Sequence, residues 1–201
     1  MRSFSKHTLE SFLNRLASSS MTPGGGSAAA ITAALGTALL EMTAGINQKK
    51  AFNRQFARHL KKIKKIRLEL LTLAAEDAKA FLNFLKVRKK DKKSRVYQNA
   101  LKKSARVPLK ICALSCEALR AAQREIPRTG RWLASDLAEA AILLEAAFRA
   151  GRWNAEINLK SIQDRRCAEK GEACLAKLEK DCSRTKNKII KDLGYGRRAA
   201  S

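Results

Sequence analysis

Thr22-Pro23-Gly24-Gly25-Gly26-Ser27-Ala28-Ala29-Ala30 opens an apolar run of small residues that reaches Ile46, and its reading decides the fold. Proline halts the preceding element, and glycines take backbone angles closed to other residues. Ser27 is then the predicted N-cap of a helix over about residues 27–47. Ala29, Ala33, Gly36, Thr37 and Ala44 cover most of that helix with small side chains. Small residues let helix backbones approach closely, which puts this helix at the centre of a bundle or at a subunit interface. The junction before it presents unpaired backbone N–H groups at the positive end of a helix, a candidate anion cradle. An ordinary loop-to-helix boundary has the same composition.

On either side the pattern stays helical. Leu9, Phe12, Leu13 and Leu16 recur at helical spacing, giving a short amphipathic helix over about 6–17. A long helix is predicted over 52–87, with Arg58, Lys61, Lys62, Lys64 and Lys65 on a basic face. The charged connection Arg88-Lys89-Lys90-Asp91-Lys92-Lys93 reads as a solvated loop. A fourth helix over 94–123 contains Pro108, where a kink or break is expected. After a turn at 126–131, Ser135 is a candidate N-cap. The stripe Leu137, Ala141, Leu144, Phe148, Gly151, Ala155, Asn158, Ile162 then runs unbroken through Gly151. A charged helix over 163–192 and a frayed tail over 194–201 complete one all-α domain, a bundle of long helices spanning residues 1–201.

Composition agrees with that class. Only 5% of the 201 residues are aromatic, three are proline, and β-branched runs are scarce. The net charge of +24 draws polyanions of every kind and says little about fold. Five scattered cysteines read as reduced intracellular thiols, and Cys112 and Cys116, with neither His7 nor His59 near in sequence, make no metal site. The run 28–46 is nearly long enough to span a bilayer. Glu41, three threonines and its many alanines favour a helix buried in protein instead. The first twenty residues are periodic and include Glu10, so they do not read as a signal peptide, and a cytoplasmic protein is expected.

The most informative single residue is Asp77. On the third helix Ile66, Leu70, Leu73, Asp77, Phe81 and Phe84 fall at steps of three and four, which places the carboxylate on the apolar stripe and rotates Glu76 off it. Burial disfavours the charged form and raises a carboxyl pKa toward the range useful for proton transfer. A structural aspartate bonded to a neighbouring helix satisfies the same pattern. Asn158 on the last stripe, and Asn154 one turn before it, are amides that need partners, from a ligand or from another helix.

The segments Thr22-Pro23-Gly24-Gly25-Gly26-Ser27, Glu76-Asp77-Ala78-Lys79-Ala80-Phe81, Val107-Pro108-Leu109, Ser135-Asp136 and Asn154 to Ile162 stand in an order and spacing that resemble the cyclodeaminase/cyclohydrolase family of folate enzymes. The resemblance implies an all-helical subunit, a homodimer, and a folate cleft at or near the subunit interface. It implies Asp77 as the proton-transfer residue. Gly24, Gly25, Gly26 and Ser27 would bind substrate, as would Lys49, Lys50, Ser135, Asp136, Asn154 and Asn158. It implies no metal and no cofactor beyond the tetrahydrofolate substrate, with or without a polyglutamate tail, whose carboxylates suit Lys49, Lys50 and the glycine-loop N–H groups.

Two reactions share the 5,10-methenyl bridge of tetrahydrofolate. The cyclohydrolase adds water to give 10-formyltetrahydrofolate, and the cyclodeaminase closes the bridge with loss of ammonia from a formimino group. A chain without a transferase domain favours the cyclohydrolase. Two other readings compete: a basic helical nucleic-acid-binding protein, disfavoured because no base-reading motif or stacking platform is visible, and a catalytically inactive dimeric relative. No membrane partner is expected.

Overall fold

The computed structural model describes residues 8–50 and 54–194, with the side chain of Lys50 outside that description. Among the described residues there are six α-helices: α1 Leu9–Ala17, α2 Gly25–Lys50, α3 Arg54–Val87, α4 Arg95–Glu125, α5 Arg131–Leu159 and α6 Arg165–Asp192. A 3-10 turn, Ile126–Arg128, joins α4 to α5. No strand occurs among the described residues. The all-α expectation holds; the predicted beginnings of α1 and α3 and most of the tail lie outside the described residues.

Helices α2, α3, α4 and α5 each pack on the next, α5 closes back onto α2, and α6 lies along α4 and α5. Glu41 on α2 pairs with Arg67 on α3, and Lys62 on α3 with Glu117 on α4, so successive helices run antiparallel. Lys102 meets Asp164 and Arg120 meets Asp181, so α6 runs parallel to α4. The core is aliphatic: Leu40, Ile63, Leu70, Leu73, Ile111, Leu119, Leu137, Leu144 and Phe148 are sealed from solvent. Each such side chain contributes roughly 1.5–3 kcal/mol of burial. The small residues of α2 do what their size allows. A β-carbon at Gly36 would stand 3.0 Å from the Ala140 carbonyl oxygen and 3.1 Å from Leu143 Cβ, so α2 and α5 touch almost backbone to backbone there.

Three helix starts and breaks differ from the expectation. α2 begins at Gly25, and Ser27 sits inside its first turn rather than capping it. α5 begins at Arg131 behind Gly130, which places Ser135 in the second turn. Only Thr129 and Gly130 separate the 3-10 turn containing Pro127 from α5, so the helix starts earlier than the Ser-Asp pair suggested. α4 continues unbroken past Pro108, which is buried in the bundle. Thr8, Ser94 and Asp164 are true caps, each accepting a backbone N–H through its side chain.

Helix α2 is long and apolar enough to cross a membrane, and half of its apolar window is buried within the bundle. Its outer surface carries Leu35 (57% exposed) and Met42 (42%), beside Leu68 (49%) on α3. That exposed apolar face is the part of α2 the single subunit does not cover.

Candidate active site

The bundle has two ends with different chemistry. At one end the start of α2, the C-terminal half of α3, the start of α4 and the end of α5 surround a cleft of about 370 Å³. Its walls are the glycine junction, Asp77, Phe81, Phe84, Tyr97, Ser104, Asn154 and Asn158, among others.

Asp77 is seated against the first turn of α2. A β-carbon at Gly26 would lie 2.7 Å from Asp77 Oδ2 and closer still to Oδ1, so glycine at 26 is what admits the carboxylate. Gly24 has open space around its α-carbon, and at Gly25 the nearest atoms, the Asn154 amide, are at an ordinary 3.7 Å. The three glycines therefore differ: contact with Asp77 requires only the third. The buried hydroxyl of Ser27 lies 2.8 Å from the Ala74 carbonyl oxygen and 3.2 Å from Asp77 Oδ2. Burial pushes the Asp77 carboxyl above its ordinary value, and hydrogen bonds from the Ser27 side chain and backbone partly oppose that. The anion received by the α2 N-terminus is thus the chain's own carboxylate.

Serine has one hydroxyl proton. The Ala74 carbonyl oxygen and Asp77 Oδ2 are both within reach of that one proton as acceptors, and its donation to Asp77 favours the charged carboxylate. The arrangement holds a carboxyl, its pKa raised by burial, at the floor of a partly enclosed cleft.

Across the cleft, Asn154 Nδ2 donates to the Ala150 carbonyl oxygen at 2.9 Å and Asn158 Nδ2 to that of Asn154 at 2.8 Å. With the amide nitrogens turned back onto their own helix, both side-chain oxygens remain as acceptors for a ligand's N–H groups. Ser104 Oγ is buried in the cleft wall without a hydrogen-bond partner. Phe84 and Tyr97 meet edge to face, with ring centroids 5.5 Å apart, and give the cleft an aromatic side. Sequence reading passed over Ser104, Phe84 and Tyr97; a serine at an intermediate helical position carries no periodic signal, and the two aromatics look like core.

The structure therefore brings together Gly24, Gly25, Gly26, Ser27, Asp77, Asn154 and Asn158. It does not bring Lys49, Lys50, Ser135 or Asp136 to them within one subunit. Lys49 stands about 36 Å along α2 from Gly25, at 1.5 Å per residue. Asp136 lies about 27 Å along α5 from Asn154 on the same measure. Both belong to the opposite end of the bundle. The cysteines take structural places: the Cys112 thiol donates to the Phe148 carbonyl and the Cys116 thiol to that of Leu178.

The sequence pattern of the formiminotransferase-cyclodeaminase family matches residues 8–177. The chain is 33% identical to a methenyltetrahydrofolate cyclohydrolase of Methylorubrum extorquens over 174 residues, covering 81% of this chain and 84% of that protein. It is 32% identical to the formimidoyltransferase-cyclodeaminase of Sus scrofa over 78% of this chain, which is 31% of that longer protein. The fold superimposes on the crystal structure of a formiminotetrahydrofolate cyclodeaminase from Thermotoga maritima with a TM-score of 0.88 at 28% identity, over 94% of this chain and 96% of that one.

Proposed function

The chain belongs to the formiminotransferase-cyclodeaminase family, and on that premise we propose that it acts on the methenyl bridge of tetrahydrofolate as a cyclohydrolase, with Asp77 as general acid/base. The observation that carries this reading is the seat of Asp77. A carboxyl raised by burial, packed on Gly26 and bonded to Ser27, faces a cleft lined by unused acceptors. The cyclohydrolase relative, matched over 84% of its length, supports the choice of reaction.

Water adds to the bridge carbon and its proton passes to Asp77. The C–O bond becomes a carbonyl as the bond from carbon to N5 breaks, and a proton is delivered to N5. One proton is released overall, and the product carries its formyl group on N10. General acid/base transfer of this kind contributes typically 10²–10⁴-fold. The pterin presents N–H donors that suit the Asn154 and Asn158 oxygens, and the aromatic side of Phe84 and Tyr97 suits its ring.

The glutamate end of the substrate has a path. Ala80 borders both the cleft and a groove of about 750 Å³ along α3 and α4, where Lys79, Lys103 and Arg106 stand against one acid, Glu76, and Lys110 is paired with Glu69. Those cations are the partners for the tail, single or polyglutamyl, within one subunit. Lys49, Lys50, Ser135 and Asp136 reach a cleft only from a second copy of the chain. The exposed apolar face of α2 supports a homodimer that would arrange them so.

The cyclodeaminase reaction is the second reading, favoured by the close superposition on the Thermotoga maritima enzyme. It asks the same of Asp77, with the proton given to departing ammonia. Parallel assays separate the two: loss of the methenyltetrahydrofolate absorbance band, and ammonia release from formiminotetrahydrofolate. Wild-type rates equal to the buffer blank in both, with folded protein, would remove the enzymatic reading altogether.

A further inference from the structure

At the end of the bundle opposite the subunit's own cleft, the structure gathers cations to which the proposed reaction assigns no step. Two depressions lie side by side there and share Arg124. One, of about 270 Å³, is lined by Phe56, Arg58, His59, Lys62, Arg124 and Arg128. The other, of about 450 Å³, runs between α4 and α6 past Arg120, Gln123, Arg184 and Lys188. Arg58 and Arg124 are exposed and make no ion pair among the described residues, while Arg128 lies over the Phe56 ring at 3.5 Å.

The nearby acids are already engaged. Glu125 is fully buried beneath the first depression, where Asn47 Nδ2 donates to it at 2.9 Å and His59 stands 3.2 Å away. Asp181 is held between Arg120 and Arg184, Glu117 meets Lys62, and Asp192 meets Lys188. The surface therefore presents a net positive field with its carboxylates buried or paired.

Four residues beyond Arg128, and so within about 14 Å of chain, Trp132 is 94% exposed beside exposed Arg131 at the start of α5. A nearly bare indole among arginines is what a stacking platform requires, and aromatic stacking with a basic track is how single-stranded nucleic acid is held without sequence preference. The depressions lie across α3, α4 and α6, neighbours spaced at 8–10 Å, so the cations span about 20 Å, several phosphates of an extended strand. A small anion would engage only one depression.

We propose that this end of the bundle is a binding surface for single-stranded nucleic acid, in which the Arg58–Arg124–Arg184 track follows the phosphates and Trp132 stacks on a base. The two depressions share no lining residue with the subunit's own folate cleft.

The test uses full-length protein and a fluorescently labelled mixed-sequence 20-mer, single-stranded and duplex, across 50–300 mM salt. The expected result is binding of the single strand at low salt, with a log–log salt slope of several units. Arg124→Glu/Arg184→Glu is expected to weaken binding at least tenfold and to flatten the slope, with folate turnover unchanged. Trp132→Ala is expected to weaken the single strand about tenfold and to leave duplex binding nearly as it was. A control of equal charge change, Arg166→Glu/Lys170→Glu on the far part of α6, is expected to cost less than threefold. No binding of the wild type at 50 mM salt overturns the proposal. So does an equal loss in the control, which would mean diffuse attraction. Tighter binding to anionic phosphatidylserine vesicles that the 20-mer fails to displace would also overturn it, in favour of a membrane surface.

Discussion

The carboxylate of Asp77 stands over the α-carbon of Gly26, in the volume that a β-carbon there would occupy. One residue on α2 thus decides where the Asp77 carboxyl on α3 sits. Gly26→Ala gains up to about 1 kcal/mol of helix propensity. It also meets an overpacking cost of typically 1–3 kcal/mol. The balance is a small loss of stability together with a displaced carboxylate. A displacement on the order of 1 Å can cost about 10²-fold in rate, so kcat is expected to fall about that much, while Gly24→Ala, with open space around it, leaves kcat within about twofold. Steady-state kinetics on the two variants checks this; equal effects at 24 and 26 would count against Asp77 as the residue that matters.

Asp77 is expected to trade stability for activity. Its folded pKa is raised by burial above 3.8, so between the unfolded and folded values the native state holds more protons than the unfolded one. The stability this group supplies is full below 3.8 and is lost as pH rises through the folded value. At neutral pH the buried charge therefore weighs against the fold. Asp77→Asn is expected to melt higher than wild type at pH 7, with the gap narrowing as pH falls toward 4, and to lose at least about 10²-fold in turnover. Thermal melts across that range, read beside the absorbance assay, provide the check. A lower melting temperature at pH 7 would mean that Asp77 is chiefly structural.

Much of this was legible before any coordinates. Apolar periodicity placed Asp77 on the inward stripe and Glu76 off it, and one helix runs through Gly151, because those facts depend on spacing alone. The role of Gly26 was not legible, since three adjacent glycines look alike until a carboxylate from another helix chooses one. Ser27 looked like a cap because cap chemistry is local, whereas its real partners, Ala74 and Asp77, lie 47 and 50 residues away. Within one subunit Lys49 and Asp136 stand at the other end of the bundle from the cleft, because motif order along a chain does not record which end of a helix each residue occupies. Trp132 looked unremarkable in sequence, and only its 94% exposure among arginines gives it meaning.

The polar cluster at the far end behaves oppositely to Asp77. Burial pushes the Glu125 carboxyl up, but the His59 imidazole 3.2 Å away, the hydrogen bond from Asn47 and the charge of Arg128 bring it below its ordinary 4.5. Its contribution to stability is present above 4.5 and is lost as pH falls through the folded value. Removing one partner of a buried pair leaves the other stranded, at a cost of about 3–5 kcal/mol. His59→Ala and Glu125→Ala are each expected to lower stability by about 3 kcal/mol at pH 7, and the double variant by much less than the sum. Chemical denaturation of the four proteins measures the coupling; strict additivity would show that the 3.2 Å contact carries no energy.

The outer face of α2 sets the last expectation. Leu35 and Met42 are seven residues apart on one side of the helix, more than two-fifths exposed, and Met42 directly follows Glu41, whose pair with Arg67 holds α3 and its exposed Leu68 alongside. Scattered exposed leucines are ordinary, but an apolar stripe on the most hydrophobic helix of a chain carrying +24 calls for a cover. A two-fold dimer supplies one, with the same stripe on both copies. It would also explain why Lys49 and Asp136 sit so far from their own cleft, since a partner packed antiparallel would present them to it. Leu35→Arg/Met42→Arg introduces like charges directly across such an axis and is expected to convert dimer to monomer by sedimentation. Turnover should fall with it, because each cleft would lose the partner's residues. Monomeric wild-type protein with full turnover would show that the stripe is not an interface and that Lys49 and Asp136 have no part in the reaction.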